Sequence, residues 1–411
     1  MDILKIALIF VLVVLFLSKK VPIIIVMPAA SVLLVLLFSV PATTFIVAYA
    51  ESLRSHDTVE VVLTLYLIML LEEVMVKRGY MKRLLSSMDD LFHSKRINIS
   101  LLPMLIGFLP SAGGALFSAP LVGKAAEGTA LTPEDKTFLN TMYRHVIEIF
   151  FPTYPYIIMA SQISDQPFSR LIPALFPIAV IVFVLGQWYM RKLPHHQPFP
   201  LAGRGKMALA LTLALWPLLA LIFLILAFHK PIHITLDIVV HMPVYLCTGI
   251  ILIALILVER LPLKDLPRLF KESTNIRMLL MILVVMAFKD MLILCGVKDI
   301  LPSAIAGLPI PSFLTFSLMG LFISAITGFS FVALGIVLPL ALVGVSDTLP
   351  MTVLIVLSTY CGVMITPMHL CITMVADLFK ANLNRVLAKS LPPYLIVYAL
   401  SIGLFLLLNR I

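Results

Sequence analysis

The chain carries one apolar unit twice. The stretch Leu71 to Ser86 matches the stretch Phe288 to Ser303 at its landmarks. An acid stands at Glu73 and Asp290, a glycine at Gly79 and Gly296, and a serine at Ser86 and Ser303, all offset by 217. Farther on, Ser111 and Pro120 match Ser330 and Pro339 at an offset of 219, and Pro152 matches Pro367 at 215. Duplication within an apolar chain is the sequence mark of secondary transporters, whose site lies where the two copies meet.

Composition supports a bilayer as the solvent. Of 411 residues, 61% are hydrophobic and 12% are charged. A membrane-spanning helix needs about 20 apolar residues, and such runs take up nearly all the length. No room is left for a soluble catalytic domain. The first run, Ile3 to Leu17, is followed by no small-residue cleavage site and is expected to be a retained helix. The net charge of +9 reads as loop bias in a membrane protein rather than as a nucleic-acid surface. Cys247, Cys295, Cys361 and Cys371 form no CxxC pair and no metal-ligand spacing, so they read as small packing residues and no metal is expected.

Apolar runs fall near 4–17, 22–40, 58–76, 137–162, 171–190, 207–228, 238–258, 276–295, 351–376 and 391–408. Two more stretches, 99–123 and 308–343, are broken by Pro, Gly and Ser. Each suits a pair of short helices entering and leaving by one face, and such re-entrant hairpins need protein or a water-filled cavity around them. If the loops 18–21, 77–98, 124–136, 191–206, 259–277 and 378–390 are cytoplasmic, they hold 22 of the 30 Lys and Arg. The opposite side then holds Lys5, Arg54, Arg170, Lys230, Lys298 and Arg410. That bias sets the orientation, with both termini outside and the second copy upside down. The expected fold class is an all-α membrane protein of about ten transmembrane helices plus two re-entrant hairpins, in two inverted repeats. Residues 1–190 form the first repeat, with hairpin 99–123 and broken helix 137–162. Residues 191–206 form a cytoplasmic linker. Residues 207–411 form the second repeat, with hairpin 308–343 and broken helix 351–376. The expected location is the cytoplasmic membrane. Segment 80–96, with Leu84, Leu85, Leu91 and Phe92, reads as an amphipathic interfacial arm or a loop helix. Asp237 and His241 are expected at the interface.

The hairpin tips and the breaks carry the candidate chemistry. Ser111 after Pro110 is a good N-cap, and Gly113 and Gly114 allow close backbone approach. A half-helix starting there would aim its N–H groups at an anion. Thr327, Gly328 and Ser330 occupy the second tip. Pro152 and Pro367 break the following spans and release carbonyls, with Thr366 beside the second break. Tyr154 and His369 align just past the two prolines. Glu148 lies near midplane, with Arg144 four residues earlier on the same helical face and His145 adjacent. Ionisable groups in a span mark function, so Glu148 is the expected proton carrier and Arg144 the expected partner of an anion. A structural Arg–Glu pair is the competing reading. Glu73 and Asp290 are possible secondary acids, although end-of-span charges are the simpler reading there. No phosphate-binding loop, HExxH or GxSxG motif is present, so neither an ATP-driven pump nor a hydrolase is expected.

The phrases from Leu71 to Met75, from Leu109 to Gly114 and from Ile365 to His369 carry a resemblance. With the duplicated hairpin-and-break plan, they resemble the ion transporter superfamily of gluconate, citrate and dicarboxylate carriers. Within it, the chain is similar to a prokaryotic integral-membrane branch of unknown function. The resemblance implies an elevator-type carrier, often a homodimer, with sites at hairpin tips and helix breaks. Dicarboxylate members carry Ser-Asn-Thr at the tips. Here the tips read Pro110, Ser111, Ala112 and Phe329, Ser330, Phe331. The expected function is secondary transport of a small organic anion coupled to H⁺ or Na⁺. The expected partners are the bilayer, the anionic solute and a second copy, with no nucleic acid and no cofactor beyond the coupling ion. A cation/proton antiporter without organic substrate is the alternative. A membrane-embedded lipid enzyme is the remote one.

Overall fold

A computed structural model describes residues 2–19, 21–80, 83, 94–108, 114–191, 193, 204–228, 232–235, 238–240, 243–297, 300 and 309–410. The first part runs α1 (Asp2–Ser18), α2 (Ile23–Leu37), α3 (Ala42–Arg54) and α4 (His56–Lys77), then α5 (Lys95–Ile106) and α6 (Gly114–Ala125). It continues with α7 (Pro133–Arg144), a 3₁₀ turn at Ile147–Ile149, α8 (Pro155–Ser164) and α9 (Phe168–Tyr189). The second part opens with α10 (Arg204–Phe228), a short ribbon of β1 (Ile232–Thr235) and β2 (Ile238–Val240), then α11 (Val244–Val258), α12 (Leu266–Ser273) and α13 (Ile276–Leu294). It closes with α14 (Ser312–Thr327), α15 (Ser330–Ala341), α16 (Thr348–Met364), α17 (Leu370–Phe379) and α18 (Leu383–Leu408). Apart from the ribbon, the described residues in regular structure are helical.

Helices nine apart in this order behave alike. Eight of the nine described residues in left-handed backbone fall into four pairs: Ser39 with Arg260, Gly79 with Gly296, Gly128 with Gly344, and Asp165 with Lys380. The contacts match as well. Helix α4 packs on α11, and α13 packs on α2. Helix α3 lies on α13, and α12 lies on α4. Helix α8 packs on α15, and α17 packs on α6. Each part therefore reaches across to the other in the same way.

The centre is α16, where every residue from Leu349 to Met364 is buried. Helix α15 is buried except at Pro339. Helices apolar all round belong inside a large protein or a membrane. The outside is apolar too: Leu4, Leu36, Phe223 and Leu257 are 66–75% exposed. Water does not support so large an apolar exterior. By length and composition, α9 and α18 are long and apolar enough to cross a membrane.

Several boundaries differ from the sequence expectation. The run 137–162 is not one bent helix, because α7 stops at Arg144, eight residues before Pro152. The run 238–258 begins as a strand: β-branched Ile238, Val239 and Val240 pair with β1, and Pro243 then precedes α11. Helices α3 and α12 lie in stretches read as loops. The interfacial arm, apart from Tyr80, Arg83 and 94–96, lies outside the described residues, as do most of the linker, Asp237 and His241.

Candidate functional site: a cavity between two helix breaks

The first break follows from local hydrogen bonding. Helix α7 starts with a capping box between Thr132 and Asp135. It ends loosely, with His145 N–H shared between the Thr141 and Met142 carbonyls at 3.3 Å each. Pro152 has no N–H to offer the Glu148 carbonyl four residues back. The Tyr156 hydroxyl donates to that carbonyl instead, at 2.7 Å. Pro155 then begins α8 at the first helical position, where its missing N–H costs nothing. The Tyr154 hydroxyl donates to the Gly107 carbonyl at 2.5 Å and ties the break to the α5–α6 hairpin. Gly107 lies against the Arg144 carbonyl so closely that a Cβ would clash.

The second break repeats this logic with other side chains. Pro367 cannot serve the Val363 carbonyl, and the His369 ring hydrogen-bonds it. The Thr366 hydroxyl donates to the Ala325 carbonyl at 2.5 Å and accepts from Met368 N–H at 3.2 Å. That ties the break to the α14–α15 hairpin. Gly328 at its tip has φ of +75° and abuts the Met368 carbonyl, a place only glycine fits.

Between the breaks lies a cavity of about 520 Å³. Of the residues singled out in the sequence, Arg144, His145, Glu148, Tyr154, Thr327, Gly328, Ser330 and His369 line it. Tyr156, Asn275, Arg277, Met278, Met281, Phe329, Phe331, Met368 and Cys371 also line it. Asn275 and Arg277, at the start of α13, are exposed and mark one rim. Arg144, His145 and His369 are at most 6% exposed. The His145 and His369 rings meet edge to face, with centroids 4.7 Å apart. His145 Nδ1 donates to the Thr141 carbonyl at 2.7 Å, and its Nε2 lies 3.4 Å from Glu148 Oε2.

Three helices begin at this cavity. Their N-caps are Tyr154, Phe329 and His369, and none accepts a hydrogen bond from its own helix through its side chain. Their first N–H groups and positive dipole ends therefore meet in one place.

Other expectations resolve differently. Glu148 is not one helical turn beyond Arg144, because α7 ends there and Glu148 sits in the 3₁₀ turn beside His145. Pro152, Thr366 and Pro367 shape the breaks and do not line the cavity. Gly114 opens α6, and Ser111 and Gly113 lie outside the described residues. Asp290 is held by Ser52 and by Lys289 at 3.2 Å, and Glu73 lies 3.4 Å from Lys77. Neither acid lines the cavity. Sequence reasoning missed the α13 wall, whose Asn275 caps Met278 N–H at 3.1 Å. It also set Cys371 aside as a packing residue.

A family model described as "Protein of unknown function (DUF401)" matches residues 3–408. The chain belongs to that family. No curated protein matches it. Among solved structures, it is similar to the YdaH transporter of Alcanivorax borkumensis, described as having an unusual topology. The TM-score is 0.62 at 13% identity, covering 90% of each chain. At that identity the likeness speaks for the fold.

Proposed function

We propose that this protein is a secondary active transporter for a small organic anion. The observation that carries the reading is the meeting of three helix N-termini and the buried Arg144 in one cavity. Among the described residues lining it, Glu148 is the one carboxylate. N–H groups and a guanidinium favour a carboxylate. Three helices, α7, α14 and α16, also end near the cavity, and the negative ends of their dipoles suit a coupling cation. Glu148 is the proposed proton carrier, with Na⁺ as the other coupling ion to test. The fold shared with a solved transporter supports transport in general.

The paired left-handed residues and the matched contacts support two repeats, 1–190 and 207–411. In this reading the repeats are inverted about the bilayer, with both termini outside the cytoplasmic membrane. Hairpins α5–α6 and α14–α15 are then re-entrant, and each moves with the break it is tied to. The cross-packed α2, α4, α11 and α13 form the frame of an elevator, with a second copy completing a homodimer. Such an arrangement is the one that the resemblance to the ion transporter superfamily implies.

Uptake into proteoliposomes tests the reading. Organic carboxylates should accumulate under a proton or sodium gradient, and Glu148→Gln should abolish the pH dependence. Sodium-driven pH jumps with no organic solute, together with silence toward every carboxylate, would instead support a cation/proton antiporter using the same Glu148.

A further inference from the structure

The two helix breaks bring together three side chains with metal-binding atoms. His145 follows α7, His369 precedes α17 and Cys371 lies in its first turn. Their ligand atoms lie within 4.8 Å of one another, and all three residues are buried. His145 lies 224 residues before His369 in sequence, so only the fold brings it to the other two.

Each imidazole has one nitrogen tied to a backbone carbonyl. His145 Nδ1 donates to the Thr141 carbonyl, which leaves the lone pair on Nε2. The His369 ring bonds the Val363 carbonyl, while its Nδ1 is buried without a hydrogen-bond partner. A backbone carbonyl on the far nitrogen is the usual support for a metal-bound histidine, because it fixes the tautomer and the ring. A buried imidazole nitrogen with no partner is costly unless something occupies its lone pair. Glu148 stands at the edge of the cluster, its Oε2 3.4 Å from His145 Nε2.

The geometry points to a transition-metal site formed by His145, His369 and Cys371. The donor set of two imidazoles and one thiolate suits a borderline ion of the Zn²⁺ or Co²⁺ class, with a fourth position left for water or solute. Binding displaces the Cys371 thiol proton to solvent. The widest pair of ligand atoms must close by roughly 1.3 Å, to the spacing that bonds of roughly 2.0–2.3 Å require. This inference goes beyond the transport reading and does not depend on which solute is carried.

Titration of the purified full-length protein with Co²⁺ tests it. One equivalent should bind with a thiolate-to-cobalt charge-transfer band, and Zn²⁺ should bleach that band. The band should vanish in Cys371→Ser and persist in Cys361→Ser, a buried cysteine outside the cluster. His369→Gln should weaken Co²⁺ binding by roughly tenfold or more. Since a variant can fail to fold, alkylation of the wild-type protein is read by mass spectrometry as well, and Zn²⁺ should protect Cys371. Absence of the band from the wild type, its survival in a folded Cys371→Ser, or alkylation of Cys371 indifferent to Zn²⁺ would overturn the site.

Discussion

Arg144 carries the most weight at the residue scale. A buried guanidinium beside a solute carboxylate contributes about 1.5–3 kcal/mol through charged hydrogen bonds. Arg144→Gln should therefore weaken solute binding by roughly 10- to 100-fold, checked by competition binding on folded protein. An unchanged affinity would make Arg144 structural. Gly328 is the other exacting position. Its φ of +75° and its contact with the Met368 carbonyl leave no place for a Cβ. Gly328→Ala should cost about 1–3 kcal/mol, read as a lower melting temperature. Arg144, Glu148 and His369 were legible in the sequence because an ionisable group in an apolar run stands out. Cys371 was not, because a cysteine looks the same in a core and in a ligand cluster. Its significance comes from His145, which lies in the other part of the chain.

The breaks are the working units at the scale of elements. Each is held open by a side chain that takes over a carbonyl the proline abandons, and each is pinned to its own hairpin. Tyr156→Phe leaves the Glu148 carbonyl without its 2.7 Å donor. It should lower stability by about 1–3 kcal/mol and disturb the position of Glu148. A melting temperature unchanged from wild type would show that water serves that carbonyl instead. The prolines announced the breaks in the sequence, and the Pro- and Gly-rich stretches announced the hairpins. The point where α7 stops was not legible. There Gly107 packs against the Arg144 carbonyl, a contact between separate elements. Helix α12 was hidden for a related reason: eight residues are too few for a clear periodic signal.

At the scale of the whole molecule, the two parts are joined across α4 and α12. Lys77 and Arg268 both bind Glu272. The two cations hold its carboxyl down at about 2, below its usual 4.5. A carboxylate with a depressed folded-state pKa stabilises fully above its unfolded value and loses that contribution as pH falls through the folded one. This part of the stability should thus be constant from neutral pH to about 5 and decline between about 4.5 and 2. Glu272→Gln should show a smaller loss of melting temperature over that interval, and an identical acid profile would exclude the linkage. The duplication itself was legible as paired acids, glycines and prolines. The matching left-handed ends were only partly so. Gly79 and Gly296 share a residue type, whereas Ser39 and Arg260, and Asp165 and Lys380, share only a backbone conformation.

The most direct test of an anion site between the breaks is thermal stabilisation of the purified protein by small carboxylates. Each would be tried with Na⁺ or K⁺ at two pH values, on wild type and Arg144→Gln. A ligand that binds the folded state raises the midpoint by mass action. At least one carboxylate should stabilise the wild type, depend on Na⁺ or on pH, and lose its effect in Arg144→Gln. Stabilisation by Na⁺ or acid alone, with every carboxylate silent, would contradict an anion site between the breaks.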